Sequence, residues 1–396
     1  MDHTVPILTA TSELLGGFLG AYTLTGDTGL LQKARQLGEL ILDNFDEHVP
    51  LPILHFNYRS SRPPRPTRMN LADLGGLSLE LIHLGDLLGN PKFRAAVLAG
   101  GETIRATSFP LYEIYAEEIV LGSETEAEKQ PWGVPFTLGY KAGPAYEYML
   151  KETLYYDDRD RRAAFVANKT MLGIRNNYFD HYAGEHQIVR NVHYSVTEET
   201  DQSACFAPGL VFMLTSLSPA EHKVLERRFK ALIQTCLKHF YTTVGKTGVM
   251  DDTTKDYNTL RPRVAESLFI MWRQTGDTDY RKMGLAMAEA IQKEWRASRG
   301  FHFPGTTSQP SFLLADTFKY LYLLFAPRDL LSLGDYVFGT AGHPYPKNKL
   351  RTSGLGSSRS DIDIDIDALG PKIGKPRRRV RILKSRYEDD SFKDIL

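Results

Sequence analysis

The sequence predicts an all-α protein in which helical hairpins repeat, as a solenoid or a toroid of helix pairs. Three observations predict it. Apolar residues recur at helical spacing through most of the chain up to about residue 338. A Gly-terminated turn divides one such run from the next at Thr25-Gly26-Asp27, Leu88-Gly89-Asn90 and Thr275-Gly276-Asp277. The first interval between these glycines is 63 residues and the second is close to three times that. A helical bundle joined by similar turns fits the same pattern.

Taken in order, residues 9–24 place Leu14, Leu15, Phe18, Leu19 and Tyr22 on a helix. The turn after it predicts a new helix near Thr28. Residues 50–68 are rich in proline and arginine and read as a loop. Leu71, Leu74, Leu77, Leu81 and Leu84 predict a helix over 70–88, and the next starts near Pro91. Residues 121–137 are polar, with Pro131 and Pro135, and read as a second long loop of the kind that carries binding. Ser218-Pro219-Ala220-Glu221 is a capping box that opens a helix through Leu225, Phe229, Leu232 and Ile233. A helix start is expected near Asp277. Residues 312–325 are nearly all apolar, which predicts a deeply buried helix. The tail from Lys347 differs: a Ser/Gly stretch, alternating Asp and Ile from Asp361 to Asp367, then a basic run from Lys372 to Arg386. It reads as disordered, which divides the chain into a folded domain over 1–346 and a polar tail over 347–396.

Composition excludes whole classes. The chain has 396 residues, enough for a sizeable core. Lys plus Arg and Asp plus Glu are 48 each, so the net charge is zero and the folded domain is not built to coat nucleic acid. No run reaches the ~18–20 apolar residues of a membrane span, and Met1-Asp2-His3-Thr4 does not open a signal peptide. Two cysteines exclude a disulfide-dense scaffold and a four-cysteine zinc site.

Common catalytic signatures are absent: no P-loop, no HExxH and no GxSxG. The Asp-Ile repeat starts like an EF-hand, but Ile366 stands where Gly is required and Lys372 where the bidentate Glu belongs. The basic run reads as a solvated tail, with nucleic-acid binding or a nuclear address as the alternative. Asn168-Lys169-Thr170 is a glycosylation sequon on a predicted helix. His222 and His239 read as surface or core groups, and Tyr146, Tyr148, Tyr320 and Tyr322 as core aromatics.

Five segments resemble glycoside hydrolase family 47, the class I α-1,2-mannosidases: LLGGFLGAYTLTGD (14–27), FTLGYKAGPAYEYMLK (136–151), LRPRVAESLFIMWRQTGD (260–277), SFLLADTFKYLYLLF (311–325) and DYVFGTAGHPYP (335–346). The resemblance runs over about residues 5–346. It implies an (α/α)7 barrel of helical hairpins, with this chain starting at about the second hairpin. It also implies calcium-dependent, inverting removal of α-1,2-linked mannose from high-mannose N-glycans in the endoplasmic reticulum and Golgi. An inverting glycosidase needs one carboxyl as acid and another as base. At the three positions where the family pattern has its principal carboxylates, this chain has Thr9, Gly143 and Arg263. Thr is no proton donor of that strength, Gly has no side chain, and Arg reverses the charge. Glu13 lies one turn beyond Thr9, about 6 Å away along the helix.

Other family positions are kept. Arg261, Glu266 and the sugar-packing Phe312 match, Asp73 and Asp316 replace Glu, and Asp201 matches but is followed by Gln202. Thr340 matches the calcium-coordinating Thr, beside Ala341 where the family has an acid. Cys205 and Cys236 match a family disulfide, with two buried thiols as the alternative. The expectation is a degenerate mannosidase that keeps glycan or partner binding, with calcium held weakly at Thr340. The rivals are an active enzyme using rearranged acids (Asp73, Asp201, Glu266 and Asp316) and a non-catalytic scaffold.

Overall fold

The computed structural model describes residues 5–45, 51–56, 67–107, 113–121, 136–156, 161–178, 202–214, 218–237, 262–301 and 308–348. The Asp-Ile repeat, the basic run, His239 and most of both long loops lie outside these residues.

The described chain is mostly helical, and its helices come in packed consecutive pairs. These are α2 (Gly16–Thr25) with α3 (Thr28–Leu42), α5 (Ser78–Leu88) with α6 (Pro91–Thr107), and α7 (Gly143–Tyr155) with α8 (Arg161–Tyr178). After them come α9 (Ala207–Phe212) with α10 (Pro219–Leu237), and α11 (Arg263–Thr275) with α12 (Asp279–Glu294). Short helices α1 (Ile7–Thr9) and α4 (Leu71–Gly75) precede α2 and α5, and α13 (Phe318–Phe325) follows.

Burial separates the two members of a pair. In α11 every residue from Val264 to Arg273 is buried, and α5 is buried from Ser78 to Gly85. Helix α12 buries one stripe, Tyr280, Gly284, Met287 and Ile291, at the spacing of a single helix face. So α5, α7, α9 and α11 are inner helices in contact with one another or with α13 and α2, and α3, α10 and α12 lie outside them.

The predicted turns are present. Gly26, Gly89 and Gly276 have φ of 71°, 63° and 74°, the left-handed geometry that ends a helix without a Cβ penalty. The Asp27 carboxylate accepts the Gly29 N–H at 2.8 Å and starts α3 at Thr28. At the third turn the helix begins at Asp279, two residues beyond the expected Asp277, because the Asp277 side chain caps it by accepting the Asp279 N–H at 2.9 Å. The capping box at Ser218 is closed: Ser218 N–H donates to Glu221 at 2.9 Å and Glu221 N–H to the Ser218 hydroxyl at 3.3 Å.

Three readings change. The stretch 9–24 is not one regular helix, since Ala10–Leu15 is π-helical, a widened turn that leaves Leu14 half exposed. The stretch 70–88 breaks at Gly75 and Gly76, where α4 presses on α7 so closely that a Cβ on Gly75 would stand 2.6 Å from the Ala145 Cβ. The apolar stretch 312–325 is buried on one side only: Tyr320, Leu323 and Leu324 are inside, while Leu314 and Tyr322 are 60% and 66% exposed. It packs on α11 and α12 and opens with a second π-helical turn, Leu313–Thr317.

The Cys205–Cys236 disulfide is formed, with Cα atoms 6.4 Å apart, and ties the turn Gln202–Phe206 to α10. The described strands form three antiparallel pairs, β1 (Val5–Pro6) with β2 (His55–Phe56), β3 (Arg68–Asn70) with β4 (Glu118–Val120), and β5 (Tyr336–Phe338) with β6 (Pro344–Pro346), the last a hairpin that leans on α2 and α7. The hairpin loop Gly339–His343 carries Thr340 among the inner helices.

Candidate functional site

The three positions expected to carry catalytic carboxylates fare differently. Thr9 ends α1 and is half-buried. Gly143 is buried at the first turn of α7; a Cβ there would stand 2.9 Å from the Leu138 carbonyl and 3.1 Å from the Phe206 ring. Arg263 opens α11 and turns inward, its side chain 12% exposed.

Arg263 lies among carboxylates. Its Nη1 donates to Glu147 Oε2 at 3.0 Å and to Glu266 Oε2 at 3.4 Å, and its Nη2 donates to the Thr340 hydroxyl at 3.0 Å. The guanidinium also stacks on Phe206, 5.3 Å from the ring centre. Lys151 closes the far side, bonded to Glu147 Oε1 and, at 2.8 Å, to Glu266 Oε1. The Thr340 hydroxyl donates to Glu147 Oε2 at 2.8 Å, and the Tyr320 hydroxyl to Glu266 Oε1 at 3.2 Å.

Burial alone would raise Glu147, but the charges of Lys151 and Arg263 overcome it and hold its carboxyl below the usual value. For Glu266 burial wins, helped by the Glu147 charge, and its value is raised despite Lys151. Lys151 and Arg263 are raised: burial works against their charge, and the two glutamates more than restore it.

A second polar cluster adjoins the first. Glu80 is fully buried and accepts from the Tyr148 hydroxyl at 2.5 Å and the Tyr345 hydroxyl at 3.1 Å. Its Oε2 has no hydrogen-bond partner among the described residues, and burial raises its value to about 8. Tyr148 also receives the Thr340 N–H at 3.0 Å, so the clusters share the β5–β6 loop. Asp316 is buried, and its Oδ1 has no hydrogen-bond partner among the described residues; burial raises it well above a normal carboxyl, against the opposing pull of Lys319 and Arg263. Burial lowers Lys319, which donates to the Gly342 carbonyl at 2.8 Å. Burial also brings His343 down to about 3.

Of the other expected residues, Glu266 joins the Arg263 cluster and Phe312 sits half-buried just before the π-helical turn that holds Asp316. Asp73 lies apart on α4; burial raises it, against a 3.1 Å hydrogen bond from Asn70. Asp201 and Arg261 lie outside the described residues, as does the side chain of Gln202. Glu80, Glu147 and Lys151 were missed. The signal for two of them was present: Glu147 and Lys151 are four apart in a helix otherwise apolar on that face, where paired charge is rare without a purpose. His222 is a partly buried group edge-on to Phe212, and the sequon lies in α8 with Thr170 buried.

The residues around Thr340 do not fit a hard divalent ion. Calcium takes 6–8 oxygens, whereas here the Thr340 hydroxyl and the Glu147 and Glu266 carboxylates are engaged by Arg263 and Lys151. Among the described residues no group of three or more His, Cys, Asp or Glu forms a metal cage.

The family model for glycosyl hydrolase family 47 matches residues 2–347. Human mannosyl-oligosaccharide 1,2-alpha-mannosidase IC is 29% identical over 366 residues, covering 86% of this chain and 57% of that protein. The human endoplasmic reticulum mannosyl-oligosaccharide 1,2-alpha-mannosidase is 29% identical over 384 residues, covering 87% of this chain and 53% of that one. The chain thus spans a little over half the length of these relatives. Among solved structures, the alpha-1,2-mannosidase from Trichoderma reesei aligns with a TM-score of 0.71 at 20% identity, covering 87% of this chain and 82% of that one, a likeness of fold. No helix of the described residues is long and apolar enough to cross a membrane.

Proposed function

The chain belongs to glycosyl hydrolase family 47, and from that premise we propose that it is a degenerate α-1,2-mannosidase that binds high-mannose glycan, free or on a glycoprotein, without turning it over. One observation carries the reading. Arg263, where the resemblance implies a carboxylate, spends its charge on Glu147 and Glu266. A guanidinium cannot take a proton from water near neutral pH, and its charge opposes an oxocarbenium-like transition state. Thr9 and Gly143 supply no replacement acid. Phe312, Arg261 and Asp201 remain as sugar-binding candidates. The disulfide fits residence in an oxidising compartment, so the endoplasmic reticulum or Golgi is the proposed location.

The test is release of free mannose from a high-mannose N-glycan, run beside glycan binding by calorimetry. Binding without release is expected. Neither binding nor release favours the scaffold reading.

One observation favours a second reading, the rearranged acids. Asp316 is a buried carboxyl whose burial pushes its pKa well above the usual carboxylate range, the direction a general acid requires. If the chain releases mannose and Asp316→Asn abolishes that release, this second reading replaces the first.

A further inference from the structure

We infer that the Arg263 guanidinium is a built-in cation that takes the place of the divalent ion implied at Thr340, so that this site is held together by the chain's own charges and does not respond to calcium. The inference concerns the cation alone and stands whether or not the chain hydrolyses glycan.

The charges close without an ion. Two buried carboxylates, Glu147 and Glu266, face two buried cations, Lys151 and Arg263, within 3.4 Å. Arg263 makes the contacts a central cation would make. One nitrogen bridges both carboxylates and the other reaches the Thr340 hydroxyl, so a single side chain links α7, α11 and the β5–β6 loop. The planar fork suits this bridging, and no pH change within the stability range of a protein discharges it.

Neighbouring residues fit the replacement. Ala341 gives no side-chain oxygen next to Thr340. Gly143 leaves room for Phe206, which lies against the site of a Gly143 Cβ on one side and under the guanidinium on the other. A calcium ion at the Thr340 oxygens would stand close to a fixed positive charge in a buried site, where repulsion is weakly screened.

The experiment is thermal unfolding of the full chain with 5 mM calcium chloride and with excess EDTA, on the wild type, Thr340→Ala, Arg263→Glu and Arg263→Gln. The wild-type midpoint is expected to differ by less than about 1 °C between the two conditions. Arg263→Glu, and Arg263→Gln where the first does not fold, should become calcium-responsive by several degrees, because the carboxylates then lack their central cation. A wild-type rise of several degrees that Thr340→Ala removes would overturn the inference. So would folded Arg263 variants no more responsive than the wild type. A calcium effect that Thr340→Ala leaves intact comes from elsewhere in the chain and agrees with the inference.

Discussion

Arg263, Glu147, Glu266 and Lys151 form a buried set in which each charge depends on the others. Removing one member leaves an uncompensated charge in the interior, which costs more than the pair contributes. Arg263→Met should therefore destabilise the fold by about 3–5 kcal/mol, read from urea denaturation at neutral pH; a loss under about 1 kcal/mol would mean that water already solvates the set. Glu80 carries the opposite sign. Its value rises on folding from 4.5 to about 8 because burial disfavours the carboxylate. A carboxyl raised by folding contributes stability that is fully present below 4.5 and is lost as pH climbs through about 8. Stability should thus fall between pH 5 and pH 8 by on the order of a few kcal/mol. Glu80→Gln, neutral at every pH, should flatten that slope and be the more stable chain at pH 8. Arg263 was visible in the sequence because LRPR breaks a motif. Glu80 was not, because one acid inside LSLELIHL looks like any surface position until the fold surrounds it with Tyr148 and Tyr345.

Among the elements, those set by local chemistry were readable from sequence. Glycine at a left-handed turn and a Ser-x-x-Glu box act within a few residues, so the turns at Gly26, Gly89 and Gly276 and the start at Ser218 were found in place. What depends on distant neighbours was not. The π-helical turns at Ala10–Leu15 and Leu313–Thr317 and the one-sided burial of 312–325 reflect how the inner helices meet, which periodicity does not encode. The Cys205–Cys236 bridge came from resemblance and is formed. Closing a 31-residue separation, it should contribute roughly 3–4 kcal/mol. The double variant Cys205→Ala, Cys236→Ala should show that loss in chemical denaturation without a change in far-UV circular dichroism.

For the whole molecule the question is whether carboxylates at the three positions, as Thr9→Glu, Gly143→Asp and Arg263→Glu together, would confer the hydrolysis that the proposed function denies this chain. The fold argues that they would not. At Gly143 an added Cβ meets the Leu138 carbonyl at 2.9 Å, and backbone does not yield as a side chain would. Phe206 crowds the same space and also packs under Arg263, so the Gly143 and Arg263 changes are coupled rather than independent. Arg263→Glu removes the cation that neutralises Glu147 and Glu266 and adds a third negative charge beside them. The triple variant should therefore unfold at lower temperature than the wild type and release no measurable mannose. Adding Phe206→Ala, which clears the ring but not the carbonyl and leaves a cavity in the core, should recover none of the turnover. Mannose release by the triple variant but not by the wild type, at a rate that calcium increases, would show that the inner helices can reopen around a metal-centred site, and that these three positions alone set the difference.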